Sequence, residues 1–273
     1  MSFEVKLPTC ISMPIIEIIG HCMSKLTKLS GENPQDREDA LNALFSKMPQ
    51  ETEVEVILPS KGRFYTDFGT VTVKPLLFED EQRILMSKDS NVNPVNSILS
   101  KCIEGVNITD LLIFDKLYLL MKVREVSYGS EYNFDITCPK CSANIATNLD
   151  ISKHLEVNCV EDELTDPRKV KLPVLGVEVE VRFPRVRDEG FLQGLDSVLK
   201  NSYRFVVSVD GQTDPVFISA AMKRFHIRDM KTISKAINRH ELGVDPRFAF
   251  ECPQCNHVEA MSVPLDANFF SMS

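Results

Sequence analysis

The sequence predicts an α+β protein in which zinc-ribbon-like β-hairpins are joined by a mainly helical insertion and preceded by an N-terminal helical arm. Two observations predict this fold class. Two Cys-Pro-x-Cys turns each follow a short segment of strand-forming residues, as at the tip of a β-hairpin. Between these turns, apolar residues recur at helical spacing behind Asp-Pro and similar helix-start signals. The chain therefore combines both kinds of regular structure.

Residues 1–50 are predicted to form the helical arm. Apolar side chains recur at three- and four-residue intervals over Ile15–Leu29 and indicate one amphipathic helix. A break at 31–36 precedes a second short helix at 37–48. The apolar stripe can pack on the chain's own domain or dock on a partner protein, and the sequence leaves both arrangements open.

Residues 51–273 are predicted to form one α+β domain, which begins with a hairpin-like segment. Val54, Val56 and Leu58 alternate before the turn residues Pro59-Ser60-Lys61-Gly62. The other predicted elements are helices at 94–104, 109–125, about 187–201, 215–225 and 229–240, and strands at 70–73, 131–136, 144–149, 170–172, 177–183, 248–250 and 258–263.

Three features of this domain bear on burial. Helix 109–125 is apolar almost all round, so it must be central in its domain or covered by another chain. Phe269 and Phe270 are followed by only three residues, and we expect this pair to contact another chain. Cys102 lies on the apolar face of helix 94–104 and is interpreted as a small buried hydrophobe.

The strongest chemical signal is a pair of cysteine turns, Cys138-Pro139-Lys140-Cys141 and Cys252-Pro253-Gln254-Cys255. Two such turns supply the four thiolates of a tetrahedral zinc site, so Cys138, Cys141, Cys252 and Cys255 are the predicted ligands of one structural Zn²⁺ ion. Four protein thiolates leave no open coordination position for water, which argues against a catalytic metal. A redox-active pair, disulfides and a vacant site are the alternatives.

The distance between the two turns departs from that of a compact zinc ribbon. Residues 142–251 separate them, which is 110 residues rather than roughly 15–20. We therefore predict a split ribbon, made of residues 130–150 and 247–264, with a helical insertion at about 185–240. His257 and Lys140 lie beside the turns and are expected to offset the negative charge of the thiolates.

Several protein classes lack support in this sequence. No apolar run approaches the roughly 20 residues of a membrane span. Glycine-rich phosphate loops are absent, and the five histidines are scattered without a nucleophile or metalloprotease motif. We therefore predict no enzymatic activity and no catalytic residue.

One basic stretch, Lys223–Arg239, motivates a nucleic-acid-binding alternative, because zinc ribbons often bind nucleic acids. The chain carries 31 Lys and Arg against 39 Asp and Glu, a net charge of −8. The stretch also lacks interleaved aromatic residues for base stacking. We therefore interpret it as a solvated helical face and do not expect a nucleic-acid partner.

Three segments together resemble a known family. They are Leu58-Pro59-Ser60-Lys61-Gly62-Arg63-Phe64-Tyr65 with Val71-Thr72-Val73-Lys74-Pro75-Leu76, the turn at Cys138–Cys141, and Phe250–Cys255 followed by Pro264-Leu265 and Asn268-Phe269-Phe270. Over roughly residues 53–273 the chain is similar to the baseplate hub subunit and hub assembly protein of T4-like contractile-tailed bacteriophages. The arm at 1–50 has no counterpart in that resemblance.

The resemblance implies a structural or assembly role in the phage tail without enzymatic turnover. Other baseplate and hub proteins are then the expected partners, and a homo-oligomer is compatible with the same role. The expected locations are the host cytoplasm during assembly and the tail baseplate of the virion.

Overall fold

The structure is a computed structural model that describes residues 34–46, 53–66, 68–86, 94–192, 200–239, 241–265 and 267–270. Contacts along the chain divide it into two units, Met1–Gln50 and Glu51–Ser273. In the first unit, helix α1 spans Pro34–Phe45, three residues earlier than the predicted helix at 37–48. The predicted helix at Ile15–Leu29 lies outside the described residues. The assignment of residues 1–50 to a separate helical arm stays a prediction.

The second unit mixes helices with small antiparallel sheets, as the predicted α+β class requires. Its helices are α2 (Phe78–Met86), α3 (Pro94–Cys102), α4 (Ile113–Tyr128), α5 (Ile151–His154), α6 (Pro215–Met222) and α7 (Ile227–Ile237). Its strands are β1 (Val54–Val56), β2 (Val71–Val73), β3 (Ile103–Glu104), β4 (Glu131–Thr137), β5 (Asn144–Asp150), β6 (Val157–Asn158), β7 (Arg168–Lys171), β8 (Glu178–Val181), β9 (Val206–Val209), β10 (Gly243–Val244), β11 (Arg247–Glu251) and β12 (Val258–Ser262). The sheets have the orders β1-β2-β3, β4-β5, β6-β10, β7-β8-β9 and β11-β12.

Helix α4 is the centre of the main core. It packs against α3, β2 and β10, and Leu119 and Val123 are completely buried. The sequence predicted that this helix is central in its domain or covered by another chain, and the fold places it at the centre. It begins at Ile113 rather than at 109, because residues 108–110 form a separate 3₁₀ turn capped by Asn107.

A buried carboxylate holds the Pro59–Gly62 turn against this central helix. Asp115 accepts hydrogen bonds from the backbone N–H of Ser60 at 3.0 Å and from the Tyr65 hydroxyl at 2.6 Å. Burial raises the pKa of Asp115 to about 6, against the opposing effect of these hydrogen bonds. The turn that carries part of the family resemblance is thus fixed by a polar contact inside the core.

Helix α3 is shorter than predicted because its last residues belong to a strand. Ile103 and Glu104 pair with β2 instead of continuing the helix to 104. Cys102, at the end of the helix, is 1% exposed, and burial raises the pKa of its thiol to about 12. The interpretation of Cys102 as a buried small hydrophobe is therefore confirmed.

The predicted helical insertion contributes one strand to a sheet. Strand β9 lies within 185–240 and pairs with β8, which makes a three-stranded sheet with β7. Helices α6 and α7 cover this sheet and share a hydrophobic core with it, separate from the main one. The predicted helix at about 187–201 starts as a 3₁₀ turn at 186–191, and residues 193–199 lie outside the described part of the chain. The insertion is an α+β unit because its short Val-rich segment prefers the extended conformation.

The expectation that Phe269 and Phe270 face another chain is wrong for this structure. Phe269 is 1% exposed and Phe270 is 6% exposed. The Phe269 ring meets the Tyr132 ring edge-on at 5.1 Å, and the Tyr128 hydroxyl donates to the Phe270 carbonyl oxygen at 2.9 Å. The 3₁₀ turn at 267–270 therefore folds back and fills a gap between α4 and β4.

Candidate metal centre

Two β-hairpins carry the cysteine turns. In the first, Thr137 pairs with Asn144, which leaves residues 138–143 as the connecting loop. In the second, Glu251 pairs with Val258, which leaves residues 252–257. Both loops are therefore six residues long, and both place a cysteine at their first and fourth positions.

The first loop closes on itself through two main-chain hydrogen bonds. The Ser142 N–H donates to the Cys138 carbonyl oxygen at 2.9 Å, and the Cys138 N–H donates to the Ala143 carbonyl oxygen at 2.8 Å. Ser142 has a left-handed backbone with φ of 59°. This reversal directly after Cys141 turns the chain so that both sulfur atoms lie on the same side of the loop.

The second loop repeats this geometry. The Asn256 N–H donates to the Cys252 carbonyl oxygen at 2.9 Å, and the Cys252 N–H donates to the His257 carbonyl oxygen at 2.9 Å. Asn256 occupies the position of Ser142 and has φ of 52°. Asparagine is among the residues that adopt this conformation most readily. The two halves of the site are therefore built in the same way.

The four sulfur atoms converge on one point. The Sγ atoms of Cys138 and Cys255 are 3.7 Å apart, as are those of Cys141 and Cys252. All four Sγ atoms lie within 4.8 Å of one another. A tetrahedral zinc ion with Zn–S bonds of about 2.3 Å requires sulfur atoms about 3.8 Å apart. The donor set thus fits a tetrahedral thiolate-binding metal.

All four are free cysteines, and the 3.7 Å separations are much longer than the S–S bond of about 2.05 Å. Thioredoxin-like redox cysteines lie at a helix N-terminus. The cysteine pairs of this chain lie between antiparallel strands instead. Among the alternatives considered for the sequence, the redox pair and the disulfides therefore have no structural support.

Burial differs between the turns' first and second cysteines. Cys138 is 1% exposed and Cys252 is fully buried, and both belong to the main hydrophobic core. Cys255 is half-buried and Cys141 is exposed. A metal held here would therefore fasten the ends of two hairpins to the core while remaining near the surface on one side.

The thiols influence one another strongly. Burial raises the pKa of the Cys138 thiol, but hydrogen bonds from the backbone of Cys141 and Lys140 and from neighbouring thiols outweigh it and bring the pKa to about 6. Burial, together with hydrogen bonds to the other cysteines, raises the pKa of Cys255 to about 12. Ionisation of all four cysteines at one point would require a cation to balance their charge.

The main-chain N–H groups of His257 and Lys140 contact the cysteine sulfur atoms. The His257 ring nitrogen Nε2 lies 3.2 Å from the Glu259 carboxylate. The backbone N–H of His257 is instead hydrogen-bonded to Cys255, and that of Lys140 to Cys138. Backbone amides are thus the groups that offset thiolate charge in this site.

Aromatic residues bring the two hairpins together, and the sequence analysis missed them. The rings of Phe134 and Phe248 meet edge-on with centroids 5.8 Å apart, and Tyr132 stacks on Phe134 at 4.8 Å. Phe134 stands four residues before Cys138, and Phe248 stands four residues before Cys252. That equal spacing is the signal in the sequence that could have predicted the contact.

The hairpins that carry both cysteine turns lie in a region that matches a known protein family. Residues 49–271 match the family described as T4 bacteriophage base plate protein. The chain belongs to this family. No curated protein and no solved structure matches the chain significantly. The resemblance predicted from the sequence is confirmed at the level of the family, and the match includes both cysteine turns.

Membership in the T4 base plate protein family indicates a structural role in the baseplate of a phage tail and contacts with other phage proteins. Among the described residues, no helix is long and apolar enough to cross a membrane. Among the same described residues, three or more side chains that could bind a metal ion come together at the cysteine cluster alone. Cys102 and the exposed Cys159 are not part of it.

Proposed function

We propose that this base plate family protein is a structural or assembly component of the baseplate hub, acting through contacts with other phage proteins and without catalysis. The observation that carries the proposal is the family match over residues 49–271. Hub proteins are the partners, and the chain acts in the host cytoplasm during assembly and in the tail baseplate of the virion. The resemblance of the Leu58–Tyr65 and Asn268–Phe270 segments to hub proteins supports the narrower assignment.

The cysteine cluster is proposed to bind one structural Zn²⁺ ion through Cys138, Cys141, Cys252 and Cys255. Support comes from the 3.7 Å sulfur separations and from the matching loop geometry of the two hairpins. The ion would supply a cross-link between stretches of chain more than a hundred residues apart, and no reaction. The two hairpins with their metal form the split zinc ribbon predicted at 130–150 and 247–264.

Elemental analysis of protein purified without chelator tests the metal. About one zinc per chain is expected, and substitution of Cys252 by Ser should remove it. A vacant cluster, with no metal at a stoichiometric level, would contradict the proposal. Replacement of the exposed Cys159 by Ser is the matched control, because it removes a thiol outside the cluster.

The hub role is tested by following the chain through assembly. Mass spectrometry of purified phage particles, and of baseplate intermediates isolated from infected cells, should find the chain in the intermediates or in both. Presence in both would make it a resident hub protein, whereas presence in intermediates alone would make it an assembly factor. Absence from both preparations would rule out the proposed function.

A zinc-ribbon nucleic-acid-binding protein is the second candidate function. One observation favours it: Lys223, Arg224, Arg228, Lys231 and Lys235 are all exposed on helices α6 and α7 or the turn between them. Phosphate contacts release counterions, so DNA affinity should then fall steeply with salt. If the purified chain does not bind double-stranded DNA even at about 50 mM salt, this candidate is eliminated.

A further inference from the structure

The four thiols of the cysteine cluster differ in their access to solvent. Cys141 is exposed and Cys255 is half-buried. Cys138 is 1% exposed and Cys252 is fully buried. Oxidation of a cysteine requires contact between its sulfur atom and the oxidant, so susceptibility follows exposure and thiolate character. Cys141 is therefore the thiol of the cluster that a small oxidant in solution reaches first.

A second thiol lies beside this exposed one. The Sγ atom of Cys252 is 3.7 Å from that of Cys141, and the two residues belong to different hairpins. Cys252 is shielded from the oxidant by burial, yet it touches the one sulfur atom that is not shielded. Redox-sensing sites share this arrangement, in which an exposed cysteine is oxidised and a neighbouring thiol captures it.

We infer that Cys141 and Cys252 form an oxidant-sensitive pair, which a peroxide converts from two ligands of the metal into a disulfide between the hairpins. The Cys141 sulfur attacks one oxygen of the peroxide and breaks the O–O bond, and the departing hydroxyl leaves with the thiol proton as water. The sulfenic acid that results is attacked by the Cys252 sulfur, which forms the S–S bond and releases a second water. Two thiols thus lose two electrons, and one hydrogen peroxide is reduced to two waters.

The disulfide removes two of the four donors of the cluster. Cys138 and Cys255 remain, and two thiolates do not supply the tetrahedral set of a structural zinc site. The cluster therefore releases its ion, but the new S–S bond still joins the two hairpins. This reaction differs from that of a thioredoxin-like pair, whose disulfide closes a single Cys-x-x-Cys turn.

Exchange of a metal cross-link for a covalent one fits the locations proposed for the chain. Disulfides are rare in a reducing cytoplasm and persist in oxidising surroundings outside cells. A chain that is assembled in the host and stays in the virion passes from the first environment to the second. The inference rests on the zinc ion of the proposed function, but it does not require the hub role.

Oxidation of the full-length zinc-loaded chain with a small excess of hydrogen peroxide tests the inference. Released zinc is followed with a chromogenic chelator, and disulfides are mapped by mass spectrometry of peptides from the alkylated, unreduced chain. One Cys141–Cys252 disulfide should form for each zinc released, and dithiothreitol with added zinc should restore the metal-bound chain. Cys159→Ser is the matched control, because it removes an exposed thiol outside the cluster and should change neither result.

A comparison of hydrogen exchange tests whether the hairpins stay joined. Exchange in β4, β5, β11 and β12 should be slower in the oxidised chain than in a chain stripped of zinc by a chelator under reducing conditions. Only the oxidised chain keeps a bond between the hairpins. Equal exchange in the two forms would contradict the covalent cross-link.

Two variants separate the roles of the two thiols, and each is compared with zinc-stripped wild type because each lacks a ligand. In Cys141→Ser, the cluster thiols should be oxidised at least about tenfold more slowly, since those that remain are buried or half-buried. In Cys252→Ser, Cys141 should accumulate as sulfenic and sulfinic acid, because the thiol that captures it is gone.

Several results would overturn the inference. They are a Cys138–Cys141 disulfide in place of the one between hairpins, zinc release with no disulfide, and capture of Cys141 by another thiol at the wild-type rate in Cys252→Ser. If the purified chain contains no zinc, the proposed metal fails. Mapping of the disulfide in that same chain still tests the cysteine pair, so the two failures are distinguishable.

Discussion

The two cysteine-bearing hairpins and the inserted α+β unit are stabilised in different ways. Each hairpin is a two-stranded sheet, and most side chains of β5 and β12 are at least partly exposed to solvent. The inserted unit has a three-stranded sheet, two covering helices and its own core. Two-stranded hairpins are marginally stable in water, whereas a sheet covered by helices can be stable independently. The hairpins therefore depend on contacts with distant parts of the sequence, whereas the inserted unit is stabilised by packing within its own core.

The largest effect is expected from Cys252→Ser. Loss of one ligand should release the proposed metal and lower the free energy of unfolding by roughly 4–6 kcal/mol. Hydrogen exchange should rise in β4, β5, β11 and β12 but stay slow in β7–β9. Cys159→Ser should change neither stability nor exchange. Equal loss of protection in the insertion would contradict the division into two differently stabilised regions.

Phe269→Ala tests the packing of the C-terminal aromatic pair against the first cysteine hairpin. The ring is 1% exposed and packs on Tyr132, so its removal should cost about 3–5 kcal/mol in denaturant unfolding. Zinc content should stay at that of the wild type. Truncation after Asn268 should likewise destabilise the monomer, whereas an effect on assembly alone would mean that the aromatic pair is not part of this core.

Ile233→Ala addresses the insertion. The side chain is completely buried in the separate core, and its loss should cost about 2–4 kcal/mol. Exchange should rise in α7 and β7–β9, while metal content and protection of the cysteine hairpins are retained. Lys231→Ala on the exposed side of the same helix is the control. Loss of zinc in the Ile233 variant would mean that the insertion supports the metal site.

The smallest effect concerns pH and the carboxyl of Asp115. Its folded pKa is raised from 3.8 to about 6, so the protonated form is favoured in the folded chain. Stability from this group is complete below the unfolded pKa and is lost as pH rises through about 6, with roughly 2 kcal/mol lost between about pH 4 and pH 7. Urea midpoints between pH 4 and 7 should decline in the wild type and stay flatter in Asp115→Asn. A parallel decline in both proteins would assign the pH dependence to other groups.

Local patterns predict the cysteine hairpins well, because each turn and its strands lie within about 20 consecutive residues. Cys138–Cys141 and Cys252–Cys255 stand at the tips of hairpins as predicted, and the structure adds that the four sulfur atoms meet. Their role as zinc ligands stays a prediction. The match of the two loops also follows from sequence, since both contain Cys-Pro and a residue able to reverse the chain.

Features that depend on distant partners were missed or misjudged. Strand β9 is only four residues long, and its pairing with β8 is not visible in its own periodicity. Asp115 lies in a helix whose pattern is apolar almost all round, and that pattern does not reveal that it binds a turn 55 residues away. The exposure of Phe270 was overestimated because its partner, Tyr128, lies 142 residues earlier. In each case the deciding contact lies outside any local window.

The meeting of the two cysteine turns closes a loop that contains a complete folding unit. The entropy of closing a loop grows only with the logarithm of its length, so closing 110 residues costs about 1.5 kcal/mol more than closing 20. An insertion that is itself compact lowers this difference further, because its interior does not have to be ordered by the closure. The length of the segment between the hairpins therefore has little influence on the stability of the site that joins its ends.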